Sequence, residues 1–475
     1  MHSSSEEPDK VEKRICNICI RDAFLSELVA KTGTAACCSY CAETELNTFT
    51  IEELADVIEK AFEDHYERTP TEPDGFEAAM NNDSESSYEW ERKGEEVMWA
   101  IANAAGIEEE AAEDVLSLLQ DRHSDHEAAE MGDECEFDKS SHYEEKAAEC
   151  EELTQKWFDF EHRLKTEARF FSPKARLTLD EIFEELSLSR TFKGSSVIVT
   201  AGPGTAIESL HRARVFAEDE KLEGALKEPW IHLGPPTVQA ASAGRMNARG
   251  ISVFYGAMDA VTALSEVRPP VGSKVSVAKF TILRPLQLLD VEALQTLIVK
   301  GSVFDPTFLR RLQRAKFLEI FSELVSRSVM PHEEALEYLP TQAVAEYLAT
   351  EAKLDGMVFP SVQVGHRSSN VVLFHHSSRV EGHKLKAGTK LEASLEWHDS
   401  DGASPDYRVW ERVPSAPGPA LQSDLMDLSS ADVPYHTSFD PRLPSLKIEF
   451  DNIEVHHVKG VTIVTARYPV VRHVT

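Results

Sequence analysis

Between residues 50 and 187 apolar positions recur every three or four residues. In TIEELADVIEKAFEDHY, Ile51, Leu54, Ile58 and Phe62 form one stripe, the spacing of a helix that buries a single face. Thr50 precedes the stripe and Glu53 follows three residues later, a capping box that satisfies free amides at the helix start. GEEVMWAIANAAG, EEAAEDVLSLLQDR, AECEELTQKWFDFEHRLKTEARFF and LTLDEIFEEL continue the helical period. Residues 70–90 read as a loop. Residues 123–142 are acidic and weakly hydrophobic, the composition of a mobile segment. After residue 190 the period shortens towards two. SSVIVTAGPG, ISVFYGA, KVSVAKFTIL, LQLLDV, LDGMVFPS and NVVLFHH are rich in Val, Ile and Phe and read as strands. PTFLRRLQRAKFLEIFSELVSR and TQAVAEYLATEAK read as helices. Strands outnumber helices here and cluster irregularly, so the fold class expected is α+β rather than a doubly wound sheet. Residues 379–444 lose periodicity, with seven prolines between 405 and 444, as in a linker or irregular packing. Alternation returns in SLKIEFDNIEVHHVKGVTIVTARYPVV, predicting two or three strands with a turn near Lys459-Gly460.

Charge sharpens the division. The chain of 475 residues carries a formal net charge of −33. Residues 1–190 hold 49 acidic against 19 basic side chains, and the remainder 33 against 30. Such asymmetry marks a boundary near 190. An acidic half repels phosphate backbones, so nucleic acid is not an expected partner. A balanced second half can still hold a cationic pocket for a small anion. No apolar run is long enough to span a membrane, and the N-terminus lacks the apolar stretch of a secretory signal. The compartment expected is the cytoplasm.

Five of the seven cysteines lie between positions 16 and 41. Cys16-x2-Cys19 and Cys38-x2-Cys41 have the spacing of a structural zinc ribbon, in which two paired thiolates close on one tetrahedral ion. Cys37 competes for a ligand role, but Cys38 preserves the two-residue spacing. Cys135 and Cys150 stand alone in acidic sequence and are read as free thiols. The domains expected are a zinc ribbon at 1–48, an acidic helical domain at 49–190, an α+β domain at 191–380, a linker or irregular stretch at 381–444, and C-terminal strands at 445–475.

Some possible chemistry can be set aside. TAGPGT lacks the Lys-Ser/Thr ending of a phosphate loop. His375-His376 and His456-His457 sit in strand-like sequence, where neighbours face opposite ways and cannot chelate together. The stretch GRMNARGISVFYGA is more informative. It brings Tyr255 to a strand end behind a glycine-flanked loop that carries Arg245. A short helix follows, with Asp259 placed to cap it and Glu266 near its end. Arg212 lies in the strand-like LHRARV, and Ser361 ends the strand DGMVFPS. Side chains at element ends are where a rigid frame presents functional groups.

LHRAR, SAGRMNARGISVFYGAMDAVTALSEVR, YLPTQAVAEYL and DGMVFPSVQVG…NVVLF together resemble the RES domain family over roughly residues 205–378. The acidic, cysteine-bearing half resembles, more loosely, the HEPN-like domain that accompanies some RES domains. Met246 stands where many relatives carry Trp or Phe, and NARG replaces the commoner NPPG; neither change removes a reactive group. The resemblance implies an ADP-ribosyltransferase-like fold that consumes NAD+, often as the toxin of a toxin–antitoxin pair with an antitoxin protein as partner. It carries catalytic roles to Arg212, Tyr255, Glu266 and Ser361, and NAD-binding roles to Arg212, Arg245, Asn247, Tyr255 and Ser361. The implied reaction breaks the nicotinamide–ribose bond, by phosphorolysis with inorganic phosphate or by hydrolysis. A carboxylate at Glu266 would stabilise the oxocarbenium-like ribose, arginine forks would match the pyrophosphate, and Tyr255 would stack on the nicotinamide. The leaving group departs as neutral nicotinamide without protonation, and the implied reaction needs no metal. The alternatives are mono-ADP-ribosylation of a protein or nucleotide, and a non-catalytic interaction or nucleic-acid-binding protein.

Overall fold

The computed structural model describes residues 12–41, 43–83, 87–125, 134–327, 329–365, 368–399, 402–414, 440–462 and 465–473. The chain divides into two units, one of residues 1–153 and 298–317, the other of residues 154–297 and 318–475. The division falls inside two helices, Glu151–Thr166 and Phe308–Ser326.

In the first unit, strands β1 (Arg14–Cys16), β2 (Thr34–Ala36) and β3 (Leu46–Thr50) form an antiparallel sheet in the order β1-β3-β2. Helix α1 (Ala23–Thr32) starts at Asp22, whose carboxylate accepts from the Leu25 amide at 2.8 Å. Helix α2 (Ile51–His65) carries the capping box expected: the Glu53 amide donates to Thr50 Oγ1 at 3.0 Å, and the Thr50 amide to Glu53 Oε2 at 2.8 Å. Leu54, Ile58 and Phe62 of its stripe are buried, while Ile51 is only partly so. They pack with Ile101 of α4 (Val97–Ala105) and with Val115 and Leu119 of α5 (Glu109–His123). Val303 and Phe304 join the same core, so a segment from the middle of the 191–380 stretch completes this unit.

Three local readings are corrected. The 70–90 stretch contains a short helix, α3 (Gly75–Asn81), started by a second capping box in which Asp74 accepts from the Phe76 and Glu77 amides. Asp74 and Glu77 supply the Asp-x-x-Glu pattern of such a start. Within the 123–142 stretch, residues 126–133 lie outside the described residues, but Phe137 is buried, its ring 5.6 Å from Phe62 and 5.6 Å from Tyr143. This anchor fixes sequence whose charge alone suggested mobility. Tyr143 lies on β6 (His142–Glu145), the middle strand between β4 (Tyr66–Arg68) and β5 (Glu95–Glu96). His375 and His376 occupy a short 3-10 turn rather than a strand.

The second unit carries the mixed sheet. Besides the short strands β7 (Arg190–Thr191) and β13 (Leu297–Ile298), the latter cut by the division, it contains β8 (Ile198–Ala201), β9 (Ser209–Phe216), β10 (Phe254–Ala257), β11 (Lys274–Ile282), β12 (Leu286–Asp290), β14 (Gly356–Pro360) and β15 (Ser369–Leu373). With β18 (Leu446–His457) these longer strands form eight neighbours in the order β18-β11-β9-β10-β15-β14-β12-β8. All pairings are antiparallel except the parallel β12–β14 pair. Leu210, Phe254, Phe280, Leu288, Leu373 and Ile448 form the apolar core of this sheet. The C-terminal alternation thus yields one strand, β18, on the edge of the large sheet. The stretch expected to be linker or irregular packing instead includes the antiparallel hairpin β16 (Lys390–Asp399) and β17 (Gly402–Arg412); residues 415–439 lie outside the described residues. Among the described residues no helix is long and apolar enough to cross a membrane.

Removing the Thr50 hydroxyl leaves the Glu53 amide without its cap. Thr50→Ala is expected to destabilise the protein by about 1 kcal/mol and Thr50→Ser to restore most of the loss, read by chemical denaturation.

Candidate active site

Register across the sheet assembles the site. Ala257 of β10 pairs with His211 of β9 on one side and Asn370 of β15 on the other, and Asn370 pairs in turn with Phe359 of β14. His211, Ala257, Asn370 and Phe359 therefore form one row across four strands. Directly after β10, Asp259 turns the chain into a short helix, Ala260–Glu266. The Asp259 carboxylate accepts from the Thr262 amide at 2.8 Å, from Thr262 Oγ1 at 2.7 Å and from Ser368 Oγ at 2.5 Å. Burial works against its ionisation, but these bonds prevail and hold it below the usual carboxylate range.

Glu266 is the last residue of that helix. Its Oε1 accepts from Ser361 Oγ at 2.5 Å and from Asn370 Nδ2 at 2.8 Å. Oε2 has no partner among the described residues. Ser361 is fully buried and Asn370 nearly so. One carboxylate oxygen is thus fixed by two neutral donors, and the other remains available.

A cavity of about 340 Å³ opens beside it, lined among others by Arg212, Arg245, Tyr255, Glu266, Arg268 and Asn370. This is within the range of small-molecule sites. Arg212 donates from Nη1 to the Tyr255 carbonyl at 2.8 Å and lies 5.1 Å from the Phe254 ring centre. Burial, with Arg214 nearby, pushes its pKa down to about 10, which leaves it protonated at neutral pH. The Tyr255 hydroxyl accepts from the Met246 amide at 2.9 Å and donates to Asn247 Oδ1 at 3.0 Å. Burial drives its pKa up to about 12, so the phenol stays neutral. Asn247 Nδ2 donates to the carbonyls of Ser242, Ala248 and Ile251.

The small residues around Arg245 and Asn247 have a steric reason. Gly244 and Asn247 close a tight turn on each other, and a Cβ at Gly244 would lie 2.6 Å from Asn247 Oδ1 and 2.8 Å from the Tyr255 hydroxyl. Thr341 and Gln342 fasten the turn from outside through the carbonyls of Arg245 and Gly244. Arg245 donates from Nη1 to the Val325 carbonyl and from Nη2 to the Arg327 carbonyl at 2.7 Å, and lies 5.6 Å from the Tyr338 ring centre. It caps the end of the helix Phe308–Ser326 while lining the cavity.

Of the residues singled out in the sequence, Arg212, Arg245, Tyr255 and Glu266 line one cavity. Ser361 stands behind Glu266, and Asn247 is buried in the loop with its amide groups engaged by the turn and Tyr255. Asn370, Tyr338 and Arg268, which sequence reasoning did not single out, also line the cavity. Asn370 was legible only as the polar start of an apolar strand.

Residues 210–396 match the family model described as RES domain. This part of the chain is a RES domain. A search of curated proteins finds no match to the chain. The matched region of the RES domain contains Arg212, Arg245, Tyr255, Glu266, Ser361 and Asn370 together.

In the first unit, Cys16, Cys19, Cys38 and Cys41 bring their sulfurs within 4.8 Å of one another. The Cys16–Cys41 and Cys19–Cys38 pairs are 3.5 and 3.9 Å apart. A tetrahedral thiolate site with metal–sulfur bonds of about 2.3 Å requires edges of about 3.8 Å, so the four thiols can hold one metal ion. Burial opposes ionisation of Cys38, but the amides of Tyr40, Cys16 and Cys41 outweigh it and bring the pKa down to about 7. Cys37 is exposed and outside the cluster, and no disulfide joins any of the seven cysteines.

Gly244→Ala is expected to destabilise the protein by about 1–3 kcal/mol, because the added methyl overpacks the turn. Gly382→Ala, where a Cβ meets nothing within 4 Å, is expected to leave the denaturation midpoint unchanged.

Proposed function

We propose that the RES domain of this chain cleaves the nicotinamide–ribose bond of NAD+. The RES family is associated with NAD-related toxin activity, and one observation carries the finer reading: a carboxylate held by Ser361 and Asn370 through a single oxygen, beside a cavity lined by three arginines and two tyrosines. When the glycosidic C–N bond breaks, its electron pair returns to the nicotinamide nitrogen. The ring leaves neutral, and the ribose carbon takes on oxocarbenium character. Glu266 stabilises that developing positive charge with its unpartnered oxygen. The charge is absent from the ground-state sugar, so the interaction favours the transition state. Ser361 acts through Glu266 as a positioning residue. Arg212 remains cationic and supports the dinucleotide phosphates, and the immobilised Tyr255 ring offers a face to the nicotinamide. Water or inorganic phosphate then adds to the ribose carbon, giving ADP-ribose or its 1-phosphate.

The first unit holds one zinc ion in this reading. Four thiolates leave no open position for water, so the metal is structural. It would join the segments on either side of α1 and stabilise the fold.

The full chain incubated with NAD+ is expected to release nicotinamide, with product masses in the presence and absence of phosphate identifying the acceptor. Glu266→Gln is expected to lower kcat by about 100-fold or more with NAD+ affinity little changed. Absence of nicotinamide release from the folded protein under both conditions would contradict the reading. Elemental analysis is expected to find one zinc per chain. Cys16→Ser should lose the metal and lower the melting temperature, whereas Cys37→Ser should do neither.

A further inference from the structure

We propose that Arg268 supplies the cavity's free guanidinium and binds a phosphate group of the ligand. The inference rests on the NAD reading of this cavity and extends it to a residue with no role so far. Of the three arginines lining the cavity, two have hydrogen-bond partners within the protein. Arg212 bonds to the Tyr255 carbonyl and Arg245 to the carbonyls of Val325 and Arg327. The Arg268 side chain has no hydrogen-bond or ion-pair partner among the described residues, in a chain with a net charge of −33. It follows Glu266 by two positions, so a ligand whose ribose meets the carboxylate has its phosphates within reach of a long, flexible cation.

The backbone at Arg268 gives a second line of argument. Its φ is +43°, a left-handed conformation that glycine or asparagine adopts readily and arginine only at a cost. A cation beyond the end of the helix Ala260–Glu266 is favoured by the helix dipole, but a lysine or arginine one residue away would give that benefit without the strained backbone. Strain kept at a cavity wall suggests a side chain selected for contact with a ligand. An unpaired guanidinium offers two parallel N–H groups to phosphate oxygens. That phosphate can belong to the dinucleotide pyrophosphate or be free inorganic phosphate.

The test is titration of the full chain and Arg268→Asn with ADP-ribose and, separately, with inorganic phosphate, alongside thermal melting. Asparagine tolerates the left-handed backbone, so R268N is expected to melt no lower than the parent. Its affinity for ADP-ribose is expected to fall roughly tenfold or more, the cost of losing a charged hydrogen bond. A loss confined to inorganic phosphate would assign Arg268 to the free anion and equally support the role. Affinities for both within about twofold of the parent, or a parent chain that binds neither, would overturn it. A lowered melting point in both R268N and R268Q would also overturn it, by making the residue structural. Nicotinamide release is scored separately. Turnover with unaltered binding in R268N removes Arg268 and leaves the catalytic reading, whereas weakened binding without turnover in the parent does the reverse.

Discussion

The site depends on the pinning of one short helix at both ends. At its start Ser368 donates to Asp259, and at its end Ser361 and Asn370 donate to Glu266. All three donors belong to the β14–β15 region, so the carboxylate at the helix end cannot shift without breaking bonds to the central sheet. A seven-residue helix has little stability of its own. Its direction comes from these side-chain bonds and from its own Ala263, which joins a small apolar cluster with Ala213, Ala257, Val275 and Val277. The same bonds that shape the fold orient the Glu266 carboxylate, and only one of its oxygens is consumed in doing so.

The opposite wall follows similar logic with different chemistry. Tyr255 sits in a middle strand, and its hydroxyl is held by the Gly244–Asn247 turn, which fixes the ring plane against the cavity. Asn247 shapes this wall from behind, as Ser361 shapes the other. Asn247 and Ser361 therefore hold Tyr255 and Glu266, one on each wall of the cavity. Such support from buried hydrogen bonds is how a site keeps its geometry before substrate arrives.

Much of this was legible in the order of residues. The capping box at Thr50, the Asp259 cap, the strands carrying Arg212 and Tyr255, and the cysteine pairs each follow from local rules that tertiary packing did not override. What escaped is non-local. Asn370 gains its role only because antiparallel register sets it opposite Ala257, and no spacing within NVVLF encodes that. No local spacing shows that the Arg245 guanidinium, besides lining the cavity, meets carbonyls some eighty positions away. Phe137 lay in acidic sequence, and no local signal marks its ring as part of the core. The hairpin of β16 and β17 was hidden because its flanking prolines dominate the composition, although the strands themselves pair over most of their length.

The most direct measurement is an experimental structure of the Glu266→Gln chain with NAD+, a variant slow enough to hold the intact dinucleotide. The account predicts the nicotinamide-bearing ribose in the cavity, with its anomeric carbon within about 3–4 Å of the residue 266 side chain, near the contact distance of reacting groups, and the phosphates turned towards the arginines. NAD+ bound elsewhere, or seated in the cavity with that ribose away from residue 266, would contradict it.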